Sequence, residues 1–270
     1  MHTYSHPTRA GAWLGAAKLL HQKGERIYNL VVEVQRPALA TPQSRAIEAR
    51  VNEFLRTHNC QPVETVAETI FPATEYRSGG LTKVYDYPRS IFPYIRSAPG
   101  NAKGTYALRL VQRRCADGSN FNALETAIEK LRKQLRRPGA QRAVYELDLG
   151  MEALELKLYN TEDDHTNVRG GQCLSHISLK LGPNHELYMT ALYRYQYFVQ
   201  KALGNFKGLA RLQSCIAREL GIPTGPLVCH ATLAILEDNE VGAGWKSSAV
   251  KELIAACEDA GNGAAAVAAA

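Results

Sequence analysis

Residues 169–205 read RGGQCLSHISLKLGPNHELYMTALYRYQYFVQKALGN, and the fold turns on how this stretch is parsed. CLSHISLKL and HELYMTALY each alternate apolar with polar residues, and Gly182-Pro183-Asn184 lies between them. Alternation at a period of two marks a half-buried strand, and Gly-Pro-Asn suits a tight turn, so the pair predicts a β-hairpin with Cys173 at its entrance. Beyond it, Phe198, Leu203, Leu209, Leu212 and Ile216 predict a long helix from about Gln196 to Leu220, stopped by Gly221. PLVCHATLAIL at 226–236 then reads as another strand.

Outward from this centre, RIYNLVVEV at 26–34 clusters β-branched residues and predicts a strand, preceded by a helix at 11–22. QSRAIEARVNEFLRTH places Ile47, Val51, Phe54 and Leu55 on one helical face, with Thr41 as N-cap and Pro42 at the first helical position. Pro62, Pro72, Pro88, Pro93 and Pro99, with Gly79-Gly80, predict only short helices and loops over 59–103. GTYALRLVQ (104–112) and AVYELDL (143–149) read as strands, NALETAIEKLRKQLR (122–136) and KSSAVKELIAACEDA (246–260) as helices. The sum is an α+β chain with one domain over residues 1–260 and an alanine-rich disordered tail at 261–270.

Of the 270 residues, 45% are hydrophobic and 21% charged, which suits a globular chain and argues against disorder. A net charge of +6 invites an anionic partner: nucleic acid, a nucleotide or a phosphorylated metabolite. The densest basic run, KLRKQLRRPGAQR at 130–142, reads as a solvated helix face or as a phosphate site at the helix end. Cys60, Cys115, Cys173, Cys215, Cys229 and Cys257 show neither paired nor metal-ligand spacing, so thiols are expected. The first fifteen residues lack a secretory pattern and no apolar run reaches the roughly 18 residues that span a bilayer. The expectation is therefore a cytoplasmic protein without a membrane contact. Asp163, Asp164 and His165 form a compact polar loop that is read as solvated, and no metal is expected.

The order of helix, basic turn, strand, cysteine-bearing strand, hairpin and arginine-led helix resembles the thymidylate synthase superfamily, which includes the pyrimidine nucleotide hydroxymethylases. In that family the nucleophilic cysteine begins a strand, an arginine at the end of the paired strand binds phosphate, and an asparagine eleven residues later binds the base. Arg194 to Asn205 repeats that spacing, and Cys173 to Arg194 is 21 residues, one more than the family spacing. PGAQRAVYEL is similar to the turn that delivers arginines across the dimer, with Arg142 matching the second arginine and Gln141 replacing the first. The likeness runs from about 30 to 235 and is strongest over 120–225. Departures are equally visible. Tyr197 stands where the family has a folate-contacting aspartate, Lys201 replaces a glycine, and PLVCHATLAIL lacks the ribose-binding Gly-Asp-x-His-x-Tyr.

The resemblance implies a thymidylate synthase-like mixed sheet packed with helices, and a homodimer acting on carbon 5 of a pyrimidine nucleotide. Cys173 would be the nucleophile, Arg194 and Arg142 would bind phosphate, and Asn205, with Gln196, would contact the rest of the nucleotide. Carbon 5 is weakly nucleophilic. Adding a thiolate at carbon 6 turns carbons 4 and 5 into an enolate that can take up a methyl or hydroxymethyl group, with 5,10-methylene-tetrahydrofolate as donor where folate is retained. Nearby arginine favours the thiolate. The alternative is a binding protein on the same fold, holding a nucleotide or nucleic acid without chemistry. Cys215, Cys229 and its neighbour His230 are read as structural, and the Tyr193, Tyr195, Tyr197 series either stacks a base or packs under the helix.

Overall fold

A computed structural model describes residues 1–98, 101–114, 119–136, 155–158, 172–238 and 242–269. The expected strand at 143–149, Arg142, Gln141 and the Asp163-Asp164-His165 loop lie outside these residues.

The chain is mixed α+β, built on a mixed sheet. Strands β1 (His2–His6), β2 (Arg26–Val34), β5 (Glu155–Lys157), β6 (Leu174–Leu181), β7 (Leu187–Tyr193) and β9 (Thr224–Ile235) assemble in the order β1-β2-β9-β7-β6-β5. A two-residue strand β8 (Gln196–Tyr197) pairs with the end of β9, and β3 (Arg113–Arg114) and β4 (Asn120–Phe121) form a separate small ladder. β1 runs parallel to β2, and β7 parallel to β9, while the other pairings of the main path are antiparallel. The hairpin expected from the Gly-Pro-Asn turn is therefore present as β6–β7.

Helices α1 (Arg9–Gln22), α2 (Pro42–Thr57), α3 (Val63–Glu68), α4 (Ala73–Ile95), α5 (Tyr106–Val111), α6 (Ala123–Leu135), α7 (Leu203–Leu220) and α8 (Ser247–Ala269) accompany it. Local chemistry accounts for their ends. Thr41 Oγ1 accepts from Ser44 N at 3.0 Å and Pro42 opens α2, so one otherwise orphaned amide is satisfied and one is absent. α7 ends at Gly221 in the left-handed region (φ 68°), which glycine enters without a Cβ penalty. α4 is kinked at Gly79 and Gly80 but then runs on through Pro88 and Pro93 to Ile95, longer than the short helices expected over 59–103.

Two expectations are corrected. Residues 106–111, read as a strand, form α5. Ala107, Leu108, Leu110 and Val111 are the buried residues, a helical spacing, and Thr105 caps the first turn through Leu108 N. α8 takes in the alanine-rich end, for which a disordered tail was expected; alanine has the highest helix propensity of any residue.

One face of the sheet is buried. Leu30, Val32, Ile177, Leu179, Met189, Ala191, Leu227, Cys229 and Ala231 join Trp13 of α1 and Phe206 and Leu209 of α7 in a single core. α7 is tied to this layer by Gln213, fully buried, whose Nε2 donates to Leu187 O (2.7 Å) and Gly225 O (3.0 Å). Its outer side fits against α3 through Gly204 and Gly208, where an added Cβ would lie 2.8 Å from Ala67 O at Gly208. Along β7 and β9 the alternate residues Tyr188, Thr190, Leu192, Val228, His230 and Thr232 remain partly or fully exposed.

Candidate functional site

Cys173 lies at the open end of the β6–β7 hairpin, and Tyr106 and Arg194 fix its backbone. The Tyr106 hydroxyl accepts from Cys173 N and from Leu174 N, each at 3.1 Å, so α5 caps the start of β6. Arg194 N donates to Cys173 O at 2.8 Å, and Arg194 Nη2 donates to Gln172 O at 2.8 Å. Leu174 pairs with Tyr193 but His176 with Leu192, so Ser175 is an extra residue, and its hydroxyl donates to Leu192 O at 3.0 Å. Such bulges re-aim side chains at the ends of strands. Simple alternation counted from Cys173 along β6 therefore does not carry across this point.

The electrostatics around the sulfur are opposed. Burial raises the Cys173 thiol above its ordinary value, while Arg194 and Lys201 pull it down. Burial prevails, so the thiol is protonated at neutral pH. Tyr106, Tyr193, Tyr195 and Tyr197 all feel this sulfur. Burial is the first cause of the raised value of each, and it takes Tyr106 to about 12. Tyr193 is fully buried and among the described residues its hydroxyl lacks a hydrogen-bond partner, while Tyr195 and Tyr197 stack edge to face with centroids 5.0 Å apart.

The expected helix start at Gln196 is also corrected. Gln196 and Tyr197 continue the sheet beside Ala234 and Ile235, and a π-turn over Phe198–Ala202 follows before α7 begins. Its cause is Glu237, a fully buried carboxylate just beyond β9 that accepts from Val199 N (2.7 Å) and Gln200 N (2.9 Å). Those are orphan amides of the helix start, and a negative group is favoured there. Burial nevertheless pushes the Glu237 carboxyl up to about 7. Trp13 Nε1 donates to Phe198 O at 2.8 Å and completes the clamp. π-turns are rare and recur at functional positions.

Lys201, within this turn, lies in the field of Cys60, Glu237 and Cys173. Asn205 follows four residues later, near the same helical face, and is 5% exposed. Among the described residues its side chain makes no hydrogen bond. Gln196 is 2% exposed, and among the described residues its Nε2 has no partner. Buried amides are normally satisfied, so two without partners among the described residues are features a polar ligand would complete.

The structure thus brings Cys173, Arg194 and Lys201 together, with Gln196 and Asn205 on the elements between and after them. Arg9 is held elsewhere: its guanidinium donates to Pro37 O and faces Glu48 and Arg211. Cys229 and Cys215 are buried, with thiols pushed up by burial, and His230 Nε2 lies 3.1 Å from Asn29 Oδ1 on the exposed face of the sheet. These agree with their structural reading. A cleft of about 390 Å³ between α4 and α6, lined by Tyr85, Asp86, Arg89, Glu125, Glu129 and Arg132 among others, includes none of the candidate residues. Among the described residues no group of three or more His, Cys, Asp or Glu side chains could hold a metal, and no helix is long and apolar enough to cross a membrane. Sequence reasoning missed Tyr106, Cys60 and Glu237. Only Glu237 left a trace, as a carboxylate closing the otherwise apolar run LAIL. No protein-family model and no curated protein matches the chain.

Proposed function

We propose that this chain is a divergent thymidylate synthase-like transferase that adds a methyl or hydroxymethyl group to carbon 5 of a pyrimidine nucleotide. The observation that carries the reading is the placement of Cys173 at the mouth of the hairpin in the field of Arg194 and Lys201. The buried amides of Gln196 and Asn205 support it, since they lack partners that a base would supply. In this reading the Cys173 sulfur attacks carbon 6, and the resulting enolate makes carbon 5 nucleophilic. Arg194 holds phosphate and favours the thiolate, with Arg142 as a second phosphate ligand, and Asn205 reads a uracil-type base through its paired donor and acceptor. Methylene-tetrahydrofolate is the donor class the resemblance implies. Tyr197 and Lys201, however, replace the aspartate and glycine expected in a folate site. A homodimer is the assembly that the resemblance implies.

A second reading is favoured by the raised Cys173 thiol: a nucleotide-binding protein on the same fold, without chemistry. Tritium release from carbon 5 of labelled UMP, dUMP, CMP and dCMP, with and without methylene-tetrahydrofolate, separates the two. The enzymatic reading predicts release from a uracil nucleotide that is abolished in Cys173→Ala while binding persists. Tight binding without release from any of the four would establish the second.

A further inference from the structure

The helix that carries Asn205 does not begin as an ordinary α-helix. Phe198–Ala202 form a π-turn, and Tyr197 before them supplies no side-chain cap. A π-turn takes in one residue more than an α-turn and is rare, so it persists where the surroundings hold it. Two side chains from distant parts of the chain do so here. Glu237, with no exposure to water, accepts from Val199 N (2.7 Å) and Gln200 N (2.9 Å), and Trp13 Nε1 donates to Phe198 O (2.8 Å). The backbone at Glu237 is itself held, since Leu236 N donates to Glu25 O at 2.9 Å and Trp245 Nε1 to Glu237 O at 2.5 Å.

The turn lies between two buried amides that lack partners among the described residues, Gln196 at Nε2 just before it and Asn205 just after it. Tightening it to an α-turn would take one residue out of the path between them. Within a helix one residue is about 100° of rotation. In β8, where Gln196 pairs with Ala234 and Tyr197 with Ile235, a slip of one residue exchanges the faces and turns Gln196 out of the interior. The register of the turn therefore decides whether Gln196 points inward and at what angle Asn205 follows it.

We propose that Glu237 is a positioning residue for recognition of the base: by holding the π-turn it keeps Gln196 turned inward and sets its angle to Asn205, so that both amides are presented to a pyrimidine. The inference rests on the reading of this site as one for a pyrimidine nucleotide. It adds a residue that the thymidylate synthase resemblance does not supply, from beyond the end of the likeness near 235. Glu237 acts only through the backbone amides of Val199 and Gln200. Glutamine at this position keeps the shape but has one acceptor oxygen, and its NH2 faces an amide N–H, so the turn loses one of its two bonds.

The test compares wild type, Glu237→Gln, Asn205→Ala and the double variant, each shown to be folded by circular dichroism, at a single pH near 8. Hydrogen–deuterium exchange without nucleotide, read by peptide mass spectrometry, should be about tenfold faster in Glu237→Gln over residues 196–206 and unchanged in α2. Calorimetric titration with UMP, dUMP, CMP and dCMP should show a wild type that prefers the uracil nucleotides, and Glu237→Gln should cut that preference about tenfold. In the Asn205→Ala background the same substitution should change it by less than about twofold, because the two residues act through one another. Equal weakening of all four nucleotides marks a merely structural role and would overturn the proposal. So would unchanged exchange over 196–206, an effect of Glu237→Gln undiminished in Asn205→Ala, or a wild type that binds both bases alike. Faster exchange in a protein that binds none of the four would sink the nucleotide reading and leave the clamp standing, whereas a uracil preference that Glu237→Gln leaves intact would do the reverse.

Discussion

Glu237 has to be ionised to bind the amides of the π-turn most strongly, yet it has no exposure to water. Burial wins and lifts its carboxyl to about 7, with Lys201, Cys60, Tyr195 and Tyr197 as the titratable groups around it. A folded value above the unfolded one means that the contribution to stability is complete below the unfolded value and is lost as pH rises through about 7. A displacement of this size corresponds to on the order of 3 kcal/mol. Urea midpoints of the wild type should therefore fall between about pH 5 and pH 8, and Glu237→Gln should flatten that slope. Equal slopes in the two proteins would show that the carboxyl titrates at its ordinary value.

The elements depend on a few close approaches. At Gly208 an added Cβ would lie 2.8 Å from Ala67 O, a backbone atom that cannot rotate away, so Gly208→Ala must separate α7 from α3. The expected loss is ~1–3 kcal/mol in equilibrium unfolding, despite the gain in helix propensity. Gln213→Leu should cost a similar ~1–3 kcal/mol, because the Leu187 and Gly225 carbonyls each lose a donor inside the core. Full stability in either variant would contradict the packing described. These elements differ in how far they could be read from sequence. The β6–β7 hairpin, β2, α2 and α7 were legible because each carries its own periodicity and its own stop signal, such as Thr41-Pro42 or Gly221. α5 was not, because six residues with apolar positions at 107, 108, 110 and 111 fit a short strand almost as well as a helix, and the deciding cap at Thr105 is one residue. The π-turn was invisible for a different reason: Glu237, which causes it, lies 38 residues beyond Val199. The proximity of Cys173 and Arg194 follows from the hairpin that joins their strands, whereas nothing in the sequence places Lys201 in the field of the sulfur.

At the scale of the whole molecule, the sheet presents one buried face and one on which Tyr188, Thr190, Leu192, Val228, His230 and Thr232 meet solvent. Pairing of two chains through this face would bury it, and sedimentation equilibrium should then return twice the chain mass of 29.7 kDa. Thr190→Arg, which sets like charges against each other across a two-fold axis, should return the monomer; a monomeric wild type would remove the dimer from the account. The proposed chemistry makes a covalent link between protein and nucleotide, and that link is the most direct thing to look for. A fluorine at carbon 5 replaces the hydrogen that must leave, so an adduct with a 5-fluoro pyrimidine nucleotide should persist after acid quenching. Incubation with 5-fluoro-UMP and 5-fluoro-dUMP, with and without methylene-tetrahydrofolate, followed by peptide mass spectrometry, should find on the peptide carrying Cys173 the mass of one nucleotide plus that of methylene-tetrahydrofolate in the samples that contain the donor. The fluorine blocks departure from carbon 5 only after the one-carbon group has been added there. Unmodified Cys173 in a folded protein that binds the same nucleotides, or an adduct on Cys60 instead, would contradict the account.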